Sequence, residues 1–185
     1  MRTLIQNCRI ISPGIDIPEG YLIIRDDKIE EVGEGGVSGT FDNVIPADGL
    51  IAAPGFIDIH SHGRSNFDFC DIAPEAFAVI GRRKREDGVT GFLATSLTVS
   101  MDDLRDFCRL AERYKKDVTD GAALLGVHLE GPCINPSCAG AQNPAFLRKP
   151  DIAIVDELNA ISPVKKVTFS PELPGGLAFT KALAE

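Results

Sequence analysis

The chain contains three histidines, and two of them share one tripeptide, His60-Ser61-His62. They follow Phe56-Ile57-Asp58-Ile59, a nearly continuous apolar run. Alternation along a strand puts residues i and i+2 on the same side, so the two imidazoles converge at a strand end. That end is where α/β barrels and open sheets carry their sites. The competing reading is a pair of solvated loop histidines. Glu130 closes a second apolar run, Gly126-Val127-His128-Leu129, and precedes Gly131-Pro132. A carboxylate there completes a nitrogen and oxygen donor set with His60 and His62, suited to Zn²⁺ or Fe²⁺. Such an ion lowers the pKa of bound water and polarises a carbonyl. His128 lies two residues before Glu130, on the same side of the strand, and reads equally as a ligand or as a supporting or packing histidine.

Gly140-Ala141-Gln142-Asn143-Pro144 lies in a long loop, Gly131 to Pro150. An amide side chain at a barrel mouth can hydrogen-bond a sugar-like ligand, and the same residues serve a plain turn. Other features carry less. Cys133 and Cys138 lack the second pair that a tetrahedral zinc site needs. Cys70 has no visible base partner. Arg82-Arg83-Lys84-Arg85 reads as a solvated helix face, and Gly33 to Gly36 lacks the spacing of a phosphate-binding loop.

The elements that must position these residues fall into two parts, 1–50 and 51–185. In the first, Leu4–Ile11, Gly20–Arg25, Ile29–Gly33 and Asn43–Ala47 read as strands separated by Ser12-Pro13-Gly14, Asp26-Asp27-Lys28 and a glycine-rich stretch. Such a thin sheet wants a second layer. In the second part, Phe56–His60 reads as a strand buried on both faces. Pro74–Asp87 reads as a helix with Asp71 as N-cap candidate and Gly88 just past its end. Val89–Thr95 and Ala122–Leu129 read as buried strands around a helix, Met101–Lys116, capped by Ser100. Helix Ile152–Ile161, strand Val164–Phe169 and helix Pro174–Ala184 follow. Alternating βα units imply a parallel sheet with helical crossovers.

Composition closes off other classes. The chain has 185 residues, 44% hydrophobic and 25% charged, with a formal net charge of −8. That is globular composition, and its acidity argues against nucleic acid as a partner. No apolar run approaches the roughly 18 residues of a membrane span. The start, Met1-Arg2-Thr3-Leu4, does not read as a signal peptide, and five widely spaced cysteines read as reduced thiols of a cytoplasmic protein. A complete eight-stranded barrel takes about 250 residues, more than the chain holds.

Pro54 to Gly63, Gly88 to Thr95, and His128-Leu129-Glu130-Gly131-Pro132 with Asn135-Pro136 and Gly140 to Pro144 together resemble the N-acetylglucosamine-6-phosphate deacetylases of the amidohydrolase superfamily. The first block is shared by many amidohydrolases; the pair formed by the last two is specific to this family. The resemblance implies an α/β fold, a partial (β/α)₈ TIM-type metal-dependent hydrolase barrel with a small β-sandwich beside it. It implies hydrolysis of N-acetylglucosamine 6-phosphate to glucosamine 6-phosphate and acetate, a step of amino-sugar catabolism. His60 and His62 would bind metal from the first barrel strand, and Glu130 from the third, bridging where two ions are held. Ala141 and Gln142 match substrate-contacting positions. Members carry one or two divalent ions and commonly dimerise. Ala94 stands where the family often has proline, and Cys133 where it has an aromatic residue.

The family's further metal-binding histidines, its phosphate-binding region and its acid/base aspartate lie beyond Glu185. The chain therefore reads as an N-terminal portion that carries no catalytic acid/base of its own and is inactive alone. Two alternatives stand beside this reading. One is a non-catalytic half-barrel used for binding or assembly. The other is a different amidohydrolase, such as a dihydroorotase-like enzyme, which would leave the last two motifs unexplained.

Overall fold

The computed structural model describes residues 1–118 and 120–184. The chain divides into two compact units, Met1–Pro54 and Gly55–Glu185.

In the first unit, β1 (Arg2–Ser12) and β2 (Ile15–Arg25) form an antiparallel hairpin. Its tip is Pro13-Gly14, with Gly14 at φ 77°, a left-handed conformation that glycine enters at little cost. β3 (Lys28–Glu34) pairs antiparallel with β2. β4 (Asn43–Pro46) and β5 (Ile51–Ala52) run parallel to β1. The sheet order is β3-β2-β1-β4, with β5 also on β1. Leu4, Tyr21 and Ile23 form one small core on it, and Cys8, Ile10 and Ala47 another. The described residues of this unit form this one sheet. Ile29 and Val32 of β3 are both exposed: β3 is an edge strand paired with β2 on one side only.

The second unit contains the parallel strands β6 (Phe56–Asp58), β9 (Val89–Ser96), β10 (Ala123–Glu130) and β11 (Val164–Thr168), in the order β11-β10-β9-β6. They are followed respectively by helices α1 (Pro74–Glu86), α2 (Met101–Asp117), α3 (Ile152–Asn159) and α4 (Gly176–Ala184). Between β6 and α1 lie a short hairpin, β7 (Gly63–Arg64) with β8 (Phe67–Asp68), and a 3₁₀ turn at Phe69–Asp71. This is a half-barrel of βα units.

Its core is built by helix stripes. Leu104, Phe107, Cys108, Ala111 and Tyr114 of α2 are all buried, the spacing of one helical face. Phe77 and Ile80 of α1 and Phe92 and Leu129 of the sheet meet them. Ser100 caps α2 as expected, its Oγ accepting the Asp103 N–H at 3.1 Å.

Three expectations are corrected. Asp71 does not cap α1. Its carboxylate accepts the Asp68 N–H at 2.7 Å, closing a capping box around the 3₁₀ turn, and α1 starts after Ala73 with proline at its first position. Pro74 has no N–H to cap, which lessens the need. The first strand is neither as long nor as buried as its apolar run suggests. It ends at Asp58, and Phe56 and Ile57 are 72% and 63% exposed, because β6 is a sheet edge paired on one side only. Finally, Lys84 of the basic run is 4% exposed; it follows Phe77, Ile80 and Gly81 along the buried stripe of α1. The loop Gly131 to Pro150 is partly ordered by 3₁₀ turns at Pro136–Cys138 and Pro144–Phe146.

Candidate metal centre

β6 stops where the Asp58 side chain takes over a main-chain hydrogen bond. Its Oδ1 accepts the His60 N–H at 3.1 Å, a local bond that competes with the strand ladder. One residue on, the chain rejoins β9: Thr95 Oγ1 accepts the Ser61 N–H at 3.0 Å, and the Thr95 N–H donates to the Ser61 carbonyl at 3.1 Å. His60 and His62 flank this anchor, their rings edge to face with centroids 5.1 Å apart.

Glu130 is the last residue of β10. Its Oε2 lies 2.8 Å from His62 Nε2. One donor atom from each of His60, His62 and Glu130 falls within 4.8 Å of the others. The carboxylate and both imidazoles singled out in the sequence are thus brought together. His62 Nδ1 is buried with no hydrogen-bond partner. Two imidazoles and a carboxylate are an ordinary ligand set for a divalent transition ion, so the residues present fit such a group.

His128, whose role the sequence left open, is fully buried. Its Nδ1 stands 3.2 Å from His60 Nδ1 and 3.3 Å from Thr95 Oγ1, and its Nε2 is 2.8 Å from Thr168 Oγ1. Burial, helped by the nearby Lys166 cation, pushes its pKa down to about 4, so it is a neutral imidazole packed behind His60. Asp58 is part-buried, which by itself raises a carboxyl pKa. The Lys84 ammonium and the His60 N–H outweigh that and hold it below the usual value.

The loop residues behave differently. Ala141 is exposed. Gln142 is buried, and its Oε1 accepts the Thr98 N–H at 2.7 Å, while Thr98 Oγ1 donates to the Glu130 carbonyl at 3.4 Å. Gln142 therefore ties the loop to the end of β10. Cys70 is half-buried, and its thiol is pushed up to about 12, chiefly by burial. Cys133 is buried with Sγ donating to the Lys149 carbonyl, and Cys138 is exposed. Asp58, Thr95 and Thr168 also stand against these residues and were not singled out in the sequence, which read Lys84 as part of a solvated face. A signal existed for Lys84, since it stands at the next stripe position of α1, and for Asp58, a lone charge inside an apolar run.

Parallel βα units with two imidazoles after the first strand and a carboxylate ending the third make a half-barrel with a candidate metal-binding cluster at its strand ends. No family model matches the chain. It is 29% identical over 184 residues to the N-acetylglucosamine-6-phosphate deacetylase of Lysinibacillus sphaericus, across 98% of this chain and 47% of that protein. With the enzyme of the same name from Bacillus subtilis (strain 168) it is 34% identical over 176 residues, across 91% and 44%. The crystal structure of N-acetyl-D-glucosamine-6-phosphate deacetylase from Mycobacterium smegmatis matches with a TM-score of 0.82 at 26% identity, covering 100% of this chain and 51% of that one. A mutant of that enzyme, solved in complex with N-acetyl-D-glucosamine-6-phosphate, matches at 0.79 and 27%, covering 96% and 45%. The chain is a homologue of the N-acetylglucosamine-6-phosphate deacetylases, and it spans about half the length of the curated relatives it matches.

Proposed function

We propose that the chain carries the metal-binding half of a hydrolase that removes the N-acetyl group from N-acetylglucosamine 6-phosphate, giving glucosamine 6-phosphate and acetate. The observation that supports it is the convergence of His60, His62 and Glu130 within 4.8 Å on a chain homologous to those deacetylases. The three residues would hold one or two divalent ions, zinc or iron. When bound, such an ion supplies Lewis-acid polarisation and a lowered water pKa.

The chain's own residues do the rest of what lies here. His62 Nε2 and Glu130 Oε2 face one another at 2.8 Å. Asp58 and Thr95 fix the main chain at His60 and Ser61. Hydrolysis puts the hydroxyl of water on the acetyl carbon and a proton on the sugar nitrogen as the amide C–N bond breaks. Ala141 and Gln142 sit on the loop proposed to face the sugar. The protein is further proposed to act as a cytoplasmic dimer; among the described residues no helix is long and apolar enough to cross a membrane.

The test is elemental analysis of the purified chain. Near-stoichiometric zinc or iron, lost in His60→Ala, is the expected result. Unchanged metal content in His60→Ala overturns the ligand assignment. In a version with the relatives' full length, His60→Ala and Glu130→Ala each abolish acetate release from N-acetylglucosamine 6-phosphate. Near-normal turnover removes the assignment.

A further inference from the structure

Four consecutive basic residues lie on α1, and three of them have surface partners. Arg82 pairs with Asp120, Arg83 with Glu86, and Arg85 donates to the Asp120 carbonyl. Lys84 is different. Its side chain is buried, with Nζ 2.6 Å from Asp58 Oδ2 and 5.6 Å from the centre of the Phe92 ring. Taking an ammonium out of water is costly even when it is paired. An apolar side chain at this stripe position would pin α1 to the sheet at least as well.

The second oxygen of Asp58 supplies the reason for a charge. While Oδ2 holds Lys84, Oδ1 accepts the backbone N–H of His60. A carboxylate gripped at one oxygen by a buried ammonium has one orientation; released, this part-buried side chain turns to solvent. The neighbouring residue is fixed independently, through Thr95 on Ser61.

We infer that Lys84 is a positioning residue for the metal centre: through Asp58 it sets the main chain at His60 and so the direction of that imidazole. The inference rests on the reading of His60 as a ligand. The outer partners of metal-binding groups commonly alter affinity by about 10–100-fold, which sets the size of the effect.

The experiment compares the wild-type chain with Lys84→Met, with the charge-free double variant Lys84→Met/Asp58→Asn, and with Leu158→Ala. Leu158 is a buried core residue of α3 that has no part in the centre. Three quantities are read: exchange of the His60 backbone amide in metal-free protein by NMR, zinc affinity by competition titration, and the thermal midpoint. Lys84→Met speeds His60 exchange about tenfold and weakens zinc about tenfold or more. The double variant leaves no orphaned carboxylate, so it folds even where the single variant does not, and its unheld asparagine still shows both losses. Leu158→Ala lowers the thermal midpoint but leaves His60 exchange and zinc affinity within about twofold of wild type.

Wild-type His60 exchange and zinc affinity in the double variant overturn the inference, since Lys84 then only balances a charge. Equal losses in Leu158→Ala overturn it too, since they reflect general stability. A wild-type chain that binds no zinc removes the ligand reading instead, and the exchange measurement still decides whether Lys84 grips the His60 backbone.

Discussion

His62 and Glu130 come from two different strand ends and meet Nε2 to Oε2 at 2.8 Å. That contact brings an imidazole and a carboxylate to one point. Each is partly exposed, and the other ring nitrogen of His62 is buried without a partner. Donors that already face one another lose less freedom when an ion arrives, which is how preorganisation raises affinity.

Glu130→Gln tests that arrangement. The amide keeps the shape and removes the charge, so zinc affinity of the chain falls at least about tenfold, read by calorimetric titration. Unchanged affinity would exclude Glu130 from the ligand set.

The 185-residue chain by itself releases no acetate from N-acetylglucosamine 6-phosphate. The acid/base group and the later histidines that the family resemblance implies are not among its residues. A coupled acetate assay at high protein concentration is the check, and turnover above the buffer blank contradicts the expectation.

Gly81→Ala destabilises, although alanine in place of glycine inside a helix normally gains about 1 kcal/mol. A Cβ at Gly81 would stand 2.0 Å from the Tyr114 hydroxyl, which itself donates to the Ala122 carbonyl at 2.6 Å. Relieving that overlap costs about 1–3 kcal/mol, so the clash outweighs the propensity. Urea denaturation reads the sign directly.

Stability falls steeply in alkali. Burial raises the Cys108 thiol from 9.0 to about 12 and the Tyr114 phenol from 10.0 to about 12. Both groups keep their protons in the folded state after the unfolded chain has lost its own. Between pH 9 and pH 12 the native state therefore binds more protons, and stability declines as pH rises. For Cys108 the loss approaches about 4 kcal/mol by the upper end. Thermal midpoints that stay flat from pH 9 to 11 would show that these groups are not shielded.

Much of this protein is legible in its sequence. The order of βα units follows from apolar runs alternating with helical stripes, and α2 is readable down to its Ser100 cap, because caps and stripes are local physics. The types and spacing of His60, His62 and Glu130 name a metal-binding chemistry before any fold is known. The sequence does not show that β6 is an exposed edge, because pairing partners are set by residues far along the chain. Nor does it show that Asp68 rather than α1 would engage Asp71, since two nearby turns compete for the same carboxylate. The burial of Lys84 was open for the same reason. A lysine on a helix faces water unless another element covers it, and only the packing of α1 on the sheet decided that Asp58 would be its partner. Local propensity determines which elements form; their register and packing, which involve residues distant in sequence, decide which side chains meet.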